Sequence, residues 1–242
     1  RGRHVSGDHL DAFYKTFEDV EDERFDGMII TGAPVEQLDF HEVNYWEELK
    51  GIFDWSLTHV FSTLHVCWGA FAALWHHYGI RKRPLAEKLF GIFEHEVLRP
   101  SNPLVRGFDD RFFVPHSRHT GLNLKDLAAV PAIRVLASGR RTGPFLLSTE
   151  NEGNASTLLL STESGRQIFV TGHPEYDLFT LDAEYRRDLE KGLEISVPEN
   201  YYPSDDPAQR PINRWRSHAH LLYHNWLNYY VYQTTPYDLA KV

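Results

Sequence analysis

The sequence predicts one α/β domain in which helices flank a parallel sheet. Three observations point there. The 242 residues are 42% hydrophobic and 14% aromatic, enough for one substantial core. Short apolar runs alternate with helix-period segments over the first eighty residues, as in βαβ units. No internal repeat and no linker-like change of composition divides residues 1–242, so they read as a single domain.

The elements follow in chain order. Residues 8–24 suggest a polar amphipathic helix, with Leu10, Phe13, Tyr14 and Phe17 on one stripe and an acidic end from Glu18 to Glu23. That acidic run reads as a solvated helix end. Phe25 to Thr31 reads as a buried strand stopped by Gly32-Ala33-Pro34. Trp46, Leu49, Phe53 and Leu57 share one face of a helix over about 44–59. Phe61 to Val66 is a second strand, running straight into a helix that opens at Cys67 and ends near Gly79.

From about 89 to 171 the texture becomes strand-rich, with Phe90–Val97, Arg111–Pro115, Ile133–Ala137, Phe145–Leu147, Thr157–Leu160 and Gln167–Thr171. The Gly-, Ser-, Thr- and Asn-rich stretch 138–156 reads as a loop or hairpin turn, and 138–164 as an extended surface hairpin. Helices are expected over 180–191, with Leu181, Tyr185 and Leu189 aligned, and over about 214–232. A proline-bearing loop, Pro198–Pro211, joins them.

The formal charge of −9 suits phosphate backbones poorly, so nucleic acid is not an expected partner. No apolar run approaches the ~20 residues of a membrane-spanning helix, so no membrane role is expected. RGRHVSGDHL carries no hydrophobic signal-peptide core and no initiator Met. The single cysteine, Cys67, excludes an intrachain disulfide and a thiolate-rich zinc site, and a reducing, cytoplasmic setting is the simplest expectation.

One thiol among fourteen histidines raises the question of a nucleophile with an imidazole base. In His65-Val66-Cys67-Trp68-Gly69 the cysteine falls at a strand-to-helix turn, where the helix N-terminus favours thiolate. There the Trp68 amide can hold an oxyanion, and Gly69 lets the turn close. A buried, inert cysteine at a strand end is the other reading. Val170 to Tyr176 delivers His173 into a Gly/Pro-flanked turn with Glu175 two residues on. A capped turn explains that motif alone. With Cys67 it supplies nucleophile, base and orienter on two strand-end loops.

Other histidines are weaker. His220 and His224, with His218 nearby, have zinc-compatible spacing but no third ligand at fixed spacing. Glu94-His95-Glu96 reads as a polar strand face, and His76-His77 as a helix end whose dipole suits imidazole. No metal and no bound cofactor is expected.

With these motifs in hand, the chain resembles the homoserine O-acyltransferase family. The resemblance rests on Phe25 to Pro34, Val66 to Ala70, Arg106 to Asp110, Pro115 to Arg118, Val170 to Tyr176, Trp215 to His218 and Asn225 to Gln233. It implies a flavodoxin-like, mostly parallel sheet of the class I glutamine-amidotransferase type. It also implies several tens of residues ahead of Arg1, including the first strand.

The chemistry it implies is ping-pong acyl transfer in methionine biosynthesis. Cys67 would take the acyl group from acyl-CoA, and His173, oriented by Glu175, would activate the hydroxyl of L-homoserine. Lys88, Ser117 and Arg187 would contact the amino acid. The oxyanion donors would be the Trp68 amide and one from the 32–36 loop. Glutamate at position 36 goes with acetyl-CoA and glycine with succinyl-CoA; Glu36 therefore implies acetyl-CoA as co-substrate, and its charge and bulk oppose a succinyl group. A homodimer is implied as well. Phe71 stands where glutamine is common.

Alternatives within the family are L-serine O-acetylation and homoserine O-succinylation. Outside it are a Cys–His hydrolase or amidotransferase and an inactive copy serving as a binding protein.

Overall fold

A computed structural model describes residues 14–149 and 166–233. Among the described residues, seven strands form one sheet in the order β1-β2-β7-β6-β5-β3-β4. In the chain they are β1 Phe25–Ile30, β2 Val60–Val66, β3 Arg83–Val97, β4 Arg111–Gly121, β5 Ile133–Gly139, β6 Gly143–Thr149 and β7 Arg166–Val170. The helices are α1 Trp46–His59, α2 Trp68–Tyr78, the short α3 Leu124–Ala128, α4 Thr180–Glu190 and α5 Arg216–Asn225. A π-helical segment, Trp226–Tyr232, continues α5.

The expectation of a mostly parallel sheet holds only for β1, β2 and β7. The pairings β7–β6, β6–β5, β5–β3 and β3–β4 are antiparallel. For β1–β2 and β5–β6 the connection length decides the direction. Parallel neighbours need a crossover of about a dozen residues or more, which α1 supplies between β1 and β2. Only residues 140–142 separate β5 from β6.

Two further expectations change. The described part of the proposed first helix, residues 14–24, forms turns instead. There the Asp19 carboxylate accepts the Thr16 amide and hydroxyl, each at 2.8 Å, a side-chain contact that competes with helix. Within the proposed surface hairpin 138–164, residues 143–149 are an interior strand: Phe145, Leu146 and Leu147 are buried between β5 and β7. The rest of that stretch, including Thr157–Leu160, lies outside the described residues.

Side chains alternate across the sheet. On β7, Phe169 joins the core beneath α1 and α2 with Phe53, Phe71 and Leu74. Ile168 and Val170 face the opposite core beneath α5, with Leu222 and Trp226. Trp226 Nε1 donates to Ser62 Oγ at 2.9 Å, fastening the π-helical segment to β2. A third cluster packs α4 against β3 through Leu181, Tyr185, Tyr201 and Trp215 over Phe90 and Ile92.

The sheet curls, and this matters for the site. Edge strand β4 comes round to the loop after β7, where the His173 amide donates to the Pro115 carbonyl at 2.9 Å. Residues 111–121 therefore reach the same place as the ends of β2 and β7.

Candidate active site

β2 and β7 are parallel neighbours in register at Val66 and Val170, so their C-terminal ends lie side by side. The next residues are Cys67 and, three further on in β7's loop, His173. The Cys67 amide donates to the Val170 carbonyl at 2.7 Å, locking the two ends together.

Cys67 has φ 50 and ψ −121, a conformation rare for a residue with a Cβ. It is the N-cap of α2, and the first intrahelical bonds run from the Ala70 and Phe71 amides to its carbonyl. The Trp68 amide is thus one of the opening amides that a helix leaves unused. Two glycines permit this turn. A Cβ on Gly69 would lie 2.8 Å from the Ile30 carbonyl oxygen. One on Gly32 would lie 3.2 Å from the Trp68 nitrogen, so bare backbone faces the amide expected to hold an oxyanion.

His173 Nδ1 meets Glu175 Oε1 at 2.7 Å, and Cys67 lies close enough to act on the imidazole's charge. Nδ1 being engaged, Nε2 is the nitrogen left for the thiol. Burial alone would lower the histidine's pKa, but Cys67 and Glu175 outweigh it and raise it to about 10. The pair therefore favours imidazolium beside a charged partner. The Tyr176 ring stacks on His173, with centroids 4.2 Å apart.

Tyr176 leads to a second group. Its hydroxyl donates to Glu184 Oε1 at 2.7 Å, and Ser117 Oγ donates to Glu184 Oε2 at 2.6 Å. Arg187 Nε donates to Asp188 Oδ1 at 2.7 Å, while Lys88 Nζ lies 3.9 Å from Asp188 Oδ2. The three residues proposed for the amino-acid substrate thus gather around two carboxylates of α4. Two cations, Lys88 and Arg187, and two anions, Glu184 and Asp188, thus stand together.

On the other side, Glu36 Oε2 accepts the His119 amide at 3.0 Å, and the Glu36 carbonyl accepts Lys82 Nζ at 2.6 Å. Arg118, only 1% exposed, feels the charges of both Cys67 and Glu36. Burial lowers its pKa to about 10, and those two groups oppose the fall. Phe71 packs beneath this guanidinium, 5.9 Å from ring centroid to Arg118 Cζ.

Glu184, Asp188, Tyr176 and Arg118 were not singled out from the sequence as site residues. Glu184 carried one usable signal, its position one turn before Arg187 on the same helix face. Arg118 carried none, because a strand arginine beside Ser117 reads as solvent-facing. The weaker histidines stay apart from this site. His218 Nε2 meets Asp109 Oδ2 at 3.1 Å. His95 is buried between exposed Glu94 and Glu96, the strand face expected.

A cysteine at a strained strand–helix turn, beside a carboxylate-bound histidine on the adjacent strand end, sits at the strand ends of a class I glutamine-amidotransferase-like fold. Solved structures agree on that fold. A glutamine amidotransferase from Methylobacillus flagellatus superposes with a TM-score of 0.58 at 11% identity, covering 88% of this chain and 79% of its own. One from Thermotoga maritima gives 0.56 at 14% identity, covering 85% and 78%.

The family model described as homoserine O-succinyltransferase matches residues 1–237, and the chain belongs to that family. Relatives named homoserine O-acetyltransferase include one from Acetivibrio thermocellus, 57% identical over 97% of this chain and 73% of its own length. Another from Petrotoga mobilis is 52% identical over 99% and 74%.

Proposed function

We propose that the protein transfers an acetyl group from acetyl-CoA to the side-chain hydroxyl of L-homoserine. The observation that carries this is the pairing of the Cys67–His173–Glu175 arrangement with a zwitterion-binding group at Lys88, Ser117, Glu184 and Arg187. The names of the relatives support the acetyl donor.

In the first half-reaction the Cys67 sulfur, its proton held on the His173 imidazolium, attacks the acetyl carbonyl carbon. Negative charge gathers on the carbonyl oxygen, where the Trp68 amide and an amide of the 32–36 loop stabilise it. The tetrahedral intermediate collapses to a Cys67 thioester, and the CoA thiolate leaves with the proton from His173. In the second half-reaction His173 Nε2 removes the homoserine hydroxyl proton. The oxygen attacks the thioester carbon, Cys67 sulfur departs and takes the proton back, and O-acetylhomoserine is released.

Arg187 and Lys88 hold the substrate α-carboxylate, for which a guanidinium is a well-matched partner. Glu184 holds the α-ammonium. Glu175 keeps a proton on Nδ1, so that Nε2 is the basic nitrogen throughout. On this reading the product enters methionine biosynthesis, and a reducing compartment such as the cytoplasm suits the unpaired thiol.

Intact-mass spectrometry after incubation with acetyl-CoA or succinyl-CoA tests the proposal, with Cys67→Ala as control. The expected result is an acetyl adduct that requires Cys67 and is discharged by L-homoserine. No adduct from either donor on folded protein would refute it. Discharge by L-serine but not L-homoserine would reassign the acceptor.

A further inference from the structure

The end of α2 opposite Cys67 carries an arrangement the acyl-transfer chemistry does not use. The helix has 11 residues, so its two ends are about 16 Å apart. His76 and His77 occupy its last turn, and Asp54 faces them from α1. Successive residues on a helix diverge by about 100°, yet these two imidazoles turn toward one another, with ring centroids 4.8 Å apart.

His76 Nε2 lies 2.6 Å from Asp54 Oδ1. One ligand atom from each of Asp54, His76 and His77 falls within a set whose members all lie within 4.8 Å of one another. His77 Nε2 is sealed from water and has no hydrogen-bond partner. A buried ring nitrogen without a partner is costly, so a ligand that satisfies it is stabilising.

Two imidazoles and one carboxylate form a donor set typical of zinc and neighbouring first-row divalent ions. Ligand atoms about 2.1 Å from a tetrahedral ion stand roughly 3.4 Å apart. The observed separations, from 2.6 Å to within 4.8 Å, bracket that value. The Asp54 side chain, 65% exposed, has the freedom to close the difference and leaves an entry path from solvent. Phe53 stacks against His76 at 5.7 Å, and Trp46 meets that ring edge-on at 6.4 Å, fixing its plane.

We infer that Asp54, His76 and His77 form a binding site for a zinc-class divalent metal ion that cross-links α1 to the end of the nucleophile helix. The ion replaces the proton shared by Asp54 and His76 and takes the lone pair of His77. Its open positions are completed by water. Being a helix length from Cys67, it steadies α2 and touches no reacting atom.

The test uses the full chain carrying Cys67→Ala, so that the thiol and His173 cannot chelate metal together. Zn²⁺ is titrated by calorimetry, Co²⁺ by its visible absorption, and the Tm is followed with and without Zn²⁺. The expected result is a high-affinity site that raises Tm and gives a Co²⁺ spectrum with nitrogen ligation. Asp54→Asn and His77→Gln, each in that background, weaken it at least tenfold, since even outer-shell changes weaken metal sites tenfold or more. Asp54→Asn is nearly isosteric and exposed, so it keeps the comparison valid if His77→Gln folds poorly. No binding in the Cys67→Ala chain, or binding left unchanged by Asp54→Asn, overturns the inference.

Discussion

Glu36→Gly should turn the donor preference from acetyl toward succinyl. Glu36 is held by the His119 amide at 3.0 Å and shares its surroundings with Arg118 and Cys67. A succinyl group on Cys67 would bring its own carboxylate into this space. Two carboxylates ~6 Å apart repel by about 3 kcal/mol at an effective dielectric constant of ~20, close to a hundredfold in rate. Removing Glu36 ends that repulsion and frees the His119 amide. It also leaves Arg118, whose three hydrogen bonds go to His116 Nδ1 and the carbonyls of Thr120 and Thr142, with no carboxylate among them. The incoming succinyl carboxylate is then the natural counter-charge. Steady-state CoA release with each donor should give a kcat/KM for succinyl-CoA about a hundredfold higher in Glu36→Gly than in wild type, with acetyl-CoA used less well. Glu36→Gln, which keeps bulk and drops charge, should recover part of the gain and so divide electrostatics from space. A folded Glu36→Gly protein with an unchanged donor ratio would refute the reasoning.

Three other outcomes are expected. Gly69→Ala should lose about 1–3 kcal/mol because its Cβ would sit 2.8 Å from backbone oxygen of Ile30; an unchanged Tm would contradict the close approach of α2 to β1. Glu175→Gln should lower kcat about 10²- to 10⁴-fold with little effect on stability, since the Glu175 side chain is 35% exposed and acts through His173; kinetics beside thermal melts separate the two. Finally, burial first, with Arg118 adding and the bond to Phe93 opposing, lowers the His95 pKa to about 3, against about 6.5 unfolded. The unfolded chain thus takes up its proton first, so stability is full above pH 6.5 and drains as pH falls toward 3. Urea midpoints at pH 7, 5.5 and 4 should fall in that order, less steeply in His95→Gln; equal wild-type midpoints would refute this.

The acid effect has a structural cause worth following. His95 Nδ1 meets the Phe93 carbonyl, so its Nε2 is left to accept from Thr142 Oγ1 at 2.8 Å. The same Nε2 lies 3.2 Å from His116 Nε2, which must then donate, because Arg118 Nε already donates to His116 Nδ1. Every ring nitrogen has one role, and an added proton breaks the chain of bonds. A Cβ on Gly172 would lie 2.9 Å from the His116 ring, so this network floors the loop that carries His173.

Much of the active site was legible in the sequence because it is local. Cys67 to Gly69 and Gly172 to Glu175 each carry turn, functional group and support within a few residues. Lys88, Ser117 and Arg187 were legible only through family resemblance. Glu184 and Asp188 escaped notice because acidic residues on a surface helix look the same whether or not a substrate site forms beside them. Strand positions are mostly readable from apolar runs, Phe145 to Leu147 of β6 among them, but its place inside the sheet is not, because turn-forming residues flank that run and point to the surface.

The sequence by itself determined the local geometry of two turns: one thiol at a strand–helix turn, and one histidine with its carboxylate. Those depend on residues adjacent in the chain, and short-range sterics dictate them. Only the tertiary structure decided the direction of strand pairing, the curl that carries β4 to His173, and the buried His95–His116–Arg118 network beneath it. Each of those brings together residues from distant segments, and such contacts depend on how a twisted sheet closes its core rather than on any pattern along one segment.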